Sequence, residues 1–534
     1  MSDTRRITYT STAADPEFRE RFDRELARVR ERFPLALGGG VGLGPVEGRR
    51  LHAVRSPIDQ RWTIAEVVVA SPHDVDSALG FATAATAGWR ALGWERRVAL
   101  LRAAADRIVA RNTELAAWMV YEVGKTRLEA MAEVEESADL LRYYAERMAA
   151  NAGYRRAMAR MHPAESTESV LLPYGVWAVI APFNFPSALA AGMIGGALVT
   201  GNTVVFKPAL DAPVSGELLA AALWDAGVPR DALQLVHGEA EVGAQLVNDR
   251  RVAGVAFTGS SAVGMSLVRD ASREWPRPVV VEMGGKNAAI VTASADLEAA
   301  AEGVARSAFG FGGQKCSACS RVYVEAAAAE RFTALLVARA RSASVGDPSS
   351  GDPTLGPVIR ARSVEKFRDY VAGIVAGGGK ILAGGGVLEE GDLGHGHYVE
   401  PTVARLPRGH AYYREEMFLP IVLVEPVAAL DEAISCVNAA PYGLTAGLFS
   451  NDPRDLRRFL DQVEAGVLYV NRRSGATTGA WPGINPFGGW KGSGAPGPAA
   501  LGPDYLLKFL REQSRTINGF DEAIAAGATA PVEP

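Results

Sequence analysis

The pattern of apolar and polar positions divides the chain into stretches of different period. Phe18, Phe22, Leu26 and Val29 recur at near-helical spacing among Glu, Arg and Asp, so an amphipathic helix over Asp15 to Phe33 opens the chain. A Gly-rich loop, Leu37 to Gly48, follows. Apolar residues again recur at helical spacing from Asp74 to Arg111, and helix continues from Glu114 to Ala150. The character then changes. Short apolar runs of strand length appear at Trp177 to Pro182, Thr203 to Lys207, Leu233 to Val236, Gly254 to Thr258 and Val279 to Glu282. Helix-like segments lie between them, at Ser187 to Val199, Val214 to Ala226, Glu239 to Val247 and Ser261 to Ala271. This alternation predicts parallel βαβ units and a doubly wound sheet, which binds ligands at the carboxyl ends of its strands. A second α/β segment runs from Ala288 to about Ser450, with a helix near Ala328 to Arg341 and strands near Pro420 to Val427 and Leu444 to Phe449. Residues Arg472 to Gly502 are dense in Gly, Pro, Ser and Thr, and so long an irregular segment in a compact protein is usually functional. Tyr505 to Leu510 and Glu512 to Ile517 read as extended, and Ala525 to Pro534 as a frayed tail.

Composition narrows the class. A chain of 534 residues suggests two to four domains, and 48% hydrophobic with 22% charged residues is the balance of a water-soluble globular protein. A net charge of −5 without a basic cluster gives no attraction for nucleic acid or an anionic membrane. The apolar run Val176 to Phe206 is interrupted by Pro182, Asn184, Pro186, Gly192 and Gly201, so it reads as buried core. Three cysteines and an N-terminus without an apolar signal region point to a reducing, cytoplasmic setting.

The candidate chemistry centres on Phe309 to Arg321. Cys316 lies there in a Gly-rich, polar segment, where backbone N–H groups can approach a thiol and an activated nucleophile would fit. Glu282 ends an apolar strand before Met283-Gly284-Gly285. Burial there would raise its pKa toward that of a useful general base. Asn184 is an amide between Pro182 and Pro186 that could donate to an oxyanion, or satisfy its own turn. For phosphates, the strand-to-helix turn Phe257-Thr258-Gly259-Ser260 offers a hydroxyl and free helix N–H groups, or is a plain capped helix start. The literal G-x-G-x-x-G at Gly492 to Gly497 follows no strand and carries Pro496 where a helix should begin, so it is a chance match. The cluster Glu133, Glu135 and Glu136 reads as a solvated helix face. Cys316-x-x-Cys319 has no second ligand pair, so no metal is expected, although Cys319 could trap an oxidised Cys316 as a disulfide. Cys436 reads as core.

Taken together, the motifs Phe183-Asn184-Phe185-Pro186, Gly201 to Pro208, Phe257 to Ser260, Glu282 to Asn287, Gly313 to Cys316, Glu415 to Phe418, Pro441 to Thr445 and Pro486 to Gly489 resemble, in order, those of the aldehyde dehydrogenase superfamily. The resemblance implies an α/β fold with two doubly wound parallel-sheet domains and a small β oligomerisation flap. It divides the chain into an N-terminal helical arm (1–44), a NAD(P)-binding domain (45–150 and 173–284), a catalytic domain (285–484) and bridging segments (151–172 and 503–520). It implies oxidation of an aldehyde to an acid. Cys316 would form a thioester, Asn184 and the Cys316 N–H would hold the oxyanion, and Glu282 would activate water. Lys207, Gly259, Ser260, Phe183, Glu416 and Phe418 would hold the cofactor. Leu210 stands where the family usually has Glu as a ribose acceptor, and Leu419 where it commonly has Gly. The first departure leaves NADP open beside NAD, with Asp211 as a substitute acceptor.

Gly313 to Arg321, Tyr121 to Lys125, Tyr143 to Ala145, Thr478 to Ala480 and Gly502 to Leu506 are similar to one branch, the 1-pyrroline-5-carboxylate dehydrogenases, which oxidise L-glutamate γ-semialdehyde to glutamate in proline catabolism. That resemblance implies substrate contacts at Ser317, Gly479, Ala480, Glu136, Phe185 and Phe487. It also implies a homodimer or dimer-built hexamer, with contacts from Glu165 to Leu172 and Glu512 to Ile517. Arg472 to Thr477 is about three residues longer than the branch pattern, and Trp481-Pro482 is unusual after Gly-Ala. Another aliphatic or aromatic aldehyde is the alternative, and a non-catalytic relative the alternative from another class.

Overall fold

The structure, a computed structural model, describes residues 17–39, 48–271 and 275–518. The expectations for Met1 to Asp15, for most of the Gly-rich loop and for the tail from Ala525 lie outside these residues.

Two open sheets organise the molecule. The first has five parallel strands in the order Val279–Glu282, Val252–Thr258, Val176–Ile180, Thr203–Lys207 and Leu233–Leu235. Its inner strand Thr203–Lys207 is buried along its whole length, as expected of a strand covered by helices on both faces. One covering helix, Ala188–Val199, is apolar all round and buried except at Leu189. It packs on the long helix Arg127–Ala150, so the apolar run from Val176 is interior, as its interruptions predict. The second sheet has seven strands in the order Lys380–Ala383, Thr402–Arg405, Ile421–Val427, Cys319–Glu325, Asn287–Val291, Thr445–Phe449 and Val467–Val470. All its pairings are parallel except that of Lys380–Ala383. The expected α/β class with two doubly wound sheets is borne out.

A third, antiparallel sheet joins Leu510–Asn518, Glu165–Pro173 and Arg155–Ala157. Leu510–Asn518 is an edge strand with mostly exposed side chains, which leaves backbone groups open to a further strand.

Three expectations need correction. Tyr505 to Phe509 is a 3-10 turn, and only Leu510 onward is extended. Tyr505, Leu506 and Phe509 face inward at helical spacing: Tyr505 stacks on Tyr144 with ring centroids 5.1 Å apart, and Phe509 meets Trp177 at 4.5 Å. Helix is not continuous from Glu114 to Ala150. It stops at Gly124 in the left-handed region and restarts at Arg127 behind a Thr126–Glu129 capping box. Nor is the acidic cluster a solvated face. Glu133 and Glu135 are buried, because Glu133 is ion-paired with buried Lys125 and also accepts from the Ser187 and Ala188 N–H groups at 2.8 and 3.2 Å, capping the buried helix.

Candidate active site

The cysteine segment lies between helix Leu297–Phe309 and strand Cys319–Glu325, at the junction of the two large sheets. Phe311, Gly312 and Gly313 have φ of 51°, 60° and 69°, three consecutive left-handed residues that turn the chain sharply before Cys316. A side chain at Gly313 is excluded, since a Cβ would lie 2.3 Å from the Leu419 carbonyl oxygen. The loop is fastened by amides. Asn287 donates to the Cys316 carbonyl at 2.7 Å and the Ala318 carbonyl at 3.0 Å, and its own oxygen accepts from the Thr445 N–H at 3.1 Å. The Gln314 amide oxygen accepts from the Ile359 N–H at 2.9 Å. Asn184 is buried, and its Nδ2 donates to the Gln314 carbonyl at 3.0 Å. An amide carries two donors, so one N–H remains beside the cysteine.

The carboxyls around this loop are shifted toward their neutral forms. Burial pushes Glu282 up to about 7, opposed by Lys508 and by the Gly489 N–H, which donates to Oε2 at 3.3 Å. Burial likewise pushes Glu416 up to about 7, although the Gly285 N–H donates to its Oε1 at 2.9 Å. Burial pushes the Cys316 thiol up to about 12, with Glu416 and Glu282 acting in the same direction against the N–H groups of Ser317 and Cys316. Cys316 therefore rests as a neutral thiol at neutral pH and becomes a nucleophile only by losing its proton to a nearby base.

Beyond the carboxyl ends of the five-stranded sheet lie the residues expected at a cofactor. Lys207 Nζ donates to the Gly238 carbonyl at 2.7 Å, and burial lowers its pKa to about 8. Ser260 is exposed at the N-terminus of helix Ser261–Asp270, and its hydroxyl makes no capping bond. Gly259 places its N–H on the Glu282 carbonyl at 3.1 Å. Phe183 and Phe418 meet edge to face, 6.1 Å apart. A lysine amine, an open helix N-terminus with an exposed hydroxyl, and the carboxyl of Glu416 fit the phosphates and ribose hydroxyls of a nicotinamide dinucleotide. Asp211 is engaged differently from the expected ribose acceptor, in an ion pair with Arg360 at 3.2 Å. Leu210 packs against the core.

On the other side of Cys316 opens a cavity of about 420 Å³, lined by both Cys316 and Glu282. The expected substrate residues Glu136, Phe185, Ser317, Gly479, Ala480 and Phe487 all face it. Asn184 is not among its lining residues but reaches the site through the cysteine loop. Burial pushes Glu136 up to about 8, reinforced by Glu133. Much of the outer wall comes from the irregular segment after Val470, whose Thr477 hydroxyl donates to the Ser317 carbonyl at 2.7 Å. Trp481, unusual in sequence, donates its indole N–H to Asp139 at 2.9 Å. The Gly492 to Gly497 segment runs beside the edge strand of the five-stranded sheet, with Met283 N–H on the Ser493 carbonyl and Ala495 N–H on the Val281 carbonyl. Its glycines serve strand contact.

Sequence reasoning missed Asn287, the Gln314 amide and Arg472. Asn287 stood inside a recognised motif, and a buried-strand amide beside Gly284-Gly285 was the available signal. The fixed place of Arg472 depends on the loop's tertiary path. Cys319 is buried, with its side chain in the core of the seven-stranded sheet's helical layer. Cys436 packs partly buried against the opposite layer. Among the described residues no three His, Cys, Asp or Glu side chains are placed to hold a metal, and no helix is long and apolar enough to cross a membrane.

Two mostly parallel sheets meeting at a thiol, a half-buried glutamate and a cleft that fits a dinucleotide are the architecture of an NAD(P)-dependent oxidoreductase. Residues 46–514 match the model of the aldehyde dehydrogenase family. The 1-pyrroline-5-carboxylate dehydrogenase of Geobacillus thermodenitrificans is 35% identical over 506 residues, covering 93% of this chain and 94% of its own length. A protein of Bacillus subtilis, 1-pyrroline-5-carboxylate dehydrogenase 2, is 35% identical over 510 residues, covering 93% and 96%. Among solved structures, 1-pyrroline-5-carboxylate dehydrogenase from Thermus with bound NAD superposes with a TM-score of 0.90 at 36% identity, covering 95% of this chain and 97% of that one. The chain belongs to the aldehyde dehydrogenase family.

Proposed function

We propose that this protein oxidises L-glutamate γ-semialdehyde, the open form of 1-pyrroline-5-carboxylate, to L-glutamate through a thioester on Cys316. The observation that carries the reading is a single cavity lined by Cys316, Glu282 and the polar groups of Ser317, Gly479, Ala480 and Glu136. Free N–H groups and a hydroxyl suit a carboxylate, and a carboxyl suits an ammonium, whereas an apolar aldehyde would use neither. The names of the relatives agree with this substrate.

In the proposed reaction Cys316 Sγ, deprotonated with Glu282 as the nearby base, bonds to the aldehyde carbon. The remaining N–H of Asn184 and the Cys316 backbone N–H receive the oxygen as it gains charge. A bound nicotinamide supplies the hydride acceptor. Glu282, after releasing the thiol's proton to solvent, takes a proton from the water that attacks the thioester and passes it to the departing thiolate. Lys207, Ser260 with Gly259, and Glu416 would hold the adenosine ribose, the pyrophosphate and the nicotinamide ribose, with Phe183 and Phe418 packing beside them. NAD is the cofactor we favour, as bound by the Thermus relative. Leu210 and the engagement of Asp211 by Arg360 keep NADP as a second reading, since neither repels a 2′-phosphate. The edge strand Leu510–Asn518 is the proposed contact of a homodimer or dimer-built hexamer in the cytoplasm.

A panel of L-glutamate γ-semialdehyde, propanal and benzaldehyde, run with NAD and NADP side by side, tests the reading. The semialdehyde should give the highest kcat/KM. Equal or better turnover of propanal or benzaldehyde would overturn it.

A further inference from the structure

Four cationic side chains line the cavity, and three of them are neutralised. Lys125 pairs with Glu133, Lys315 with Glu129 at 3.1 Å, and Arg306 with Glu302 at 2.9 Å. Arg472 has no carboxylate partner among the described residues, although its chain neighbour Arg473 takes Glu302 at 2.6 Å. The Arg472 guanidinium lies across the bare Cα of Gly479, where a Cβ would come within 2.6 Å of Nη2, and that glycine is in the positive-φ region at 102°. The Tyr469 ring centroid is 4.8 Å from Cζ, and Nε donates to the Ser474 hydroxyl at 3.3 Å. The fork is thus held in place while its Nη groups lack a carboxylate. The N–H groups of Gly479 and Ala480 likewise have no acceptor among the described residues. Facing this excess of donors in the same cavity is Glu136, which has neither an ion pair nor a hydrogen bond among the described residues.

We infer that Arg472 is a specificity-determining residue that binds, together with the Gly479 and Ala480 N–H groups, a carboxylate carried by the aldehyde away from its reacting carbonyl. A planar guanidinium matches a carboxylate in a two-point bond, and the contacts with Gly479, Tyr469 and Ser474 hold it before the substrate arrives. The unpartnered acid Glu136 complements it for a substrate that carries an ammonium as well, so the pair suits an α-amino-acid end. The inference rests on the reading that an aldehyde acylates Cys316, and adds to it the residue of the longer loop that selects which aldehyde.

Steady-state kinetics of wild type, Arg472→Ala and Arg472→Lys on L-glutamate γ-semialdehyde, succinic semialdehyde and propanal test it. Losing a charged hydrogen-bond donor should raise KM for both carboxylated aldehydes by about 10- to 100-fold in Arg472→Ala, with kcat changed by less than about threefold and propanal kcat/KM unaltered. Arg472→Lys, which keeps the charge but loses the fork, should fall between, and it reads the same KM split if the alanine variant does not fold. An equal loss on all three aldehydes, or selectivity that survives in both variants, overturns this inference alone. A wild type that uses propanal as well as the carboxylated aldehydes overturns both this inference and the proposed substrate.

Discussion

Glu282→Gln probes the proposed deacylation directly. Burial holds the Glu282 carboxyl at about 7, against 4.5 for an unburied glutamate. Only the ionised carboxylate can accept a proton from water. Its share rises from about one tenth at pH 6 to about nine tenths at pH 8, so a turnover limited by deacylation should climb about tenfold across that interval and level off above it. The amide removes the base and nearly preserves the shape, which should lower turnover by roughly 10²- to 10⁴-fold and abolish the limb. The assay is kcat at saturating aldehyde and cofactor from pH 5.5 to 9, joined to a stopped-flow measurement of reduced nicotinamide. If the amide variant still acylates through another proton acceptor, it gives one burst per site and then stalls. A limb that persists in Glu282→Gln, or a wild-type midpoint near the ordinary glutamate value, would refute the assignment of Glu282 as the base.

Further outcomes follow from the same geometry. Replacing Glu416 by Gln removes a charge that raises the Cys316 thiol, so iodoacetamide should alkylate Cys316 faster at pH 9 than in wild type; an unchanged or slower rate would contradict the electrostatics. Asn287→Ala strips partners from two loop carbonyls and one N–H, which should cost about 3 kcal/mol or more and lower Tm with a parallel loss of activity; a variant with unaltered Tm would show that the amide does not fasten the loop. Against Lys286 and Lys207, lowered to about 7 and 8, the four carboxyls of Glu122, Glu136, Glu282 and Glu416 have folded-state values raised to about 7 or 8, so these four bind more protons in the folded protein than in the unfolded chain. Their stabilising contribution is full below the unfolded value and should be lost as pH rises from about 4.5 to 8, visible as a falling Tm, and a Tm that rises with pH there would contradict it. Deleting residues after Leu510 should shift the sedimentation coefficient toward that of a monomer if the edge strand carries the proposed interface.

The alternation of short apolar runs with helix-length segments was enough to specify the five-stranded sheet, because a strand covered on both faces must be apolar along its length. Thr203–Lys207 carries such a run at Val204, Val205 and Phe206, legible without reference to anything distant. Ordered motifs also singled out Cys316, Glu282 and Asn184, since a thiol among glycines, a carboxylate ending an apolar strand and an amide between prolines are each locally anomalous. Tyr505 to Phe509 reads as extended because five residues with apolar groups at all positions but Lys508 fit either period, and only packing on Tyr144 and Trp177 decides. Glu133 was misread because charge patterning does not reveal a partner. Its burial follows from Lys125 and from a helix N-terminus more than fifty residues away.

The sequence by itself determined the strands of the five-stranded sheet, their order along the chain and the chemical kinds of the reacting groups, because these depend on local period and on residue type. The tertiary structure decided which charges are paired. Arg306 finds Glu302 one turn away on its own helix, but Lys315 is neutralised by Glu129, which the fold brings to it, while Arg472 and Glu136 are left facing one cavity. The physical reason is that a side chain's ionisation and pairing are set by burial and by neighbours distant along the chain. Only closure of the two sheets around the cysteine loop fixes either.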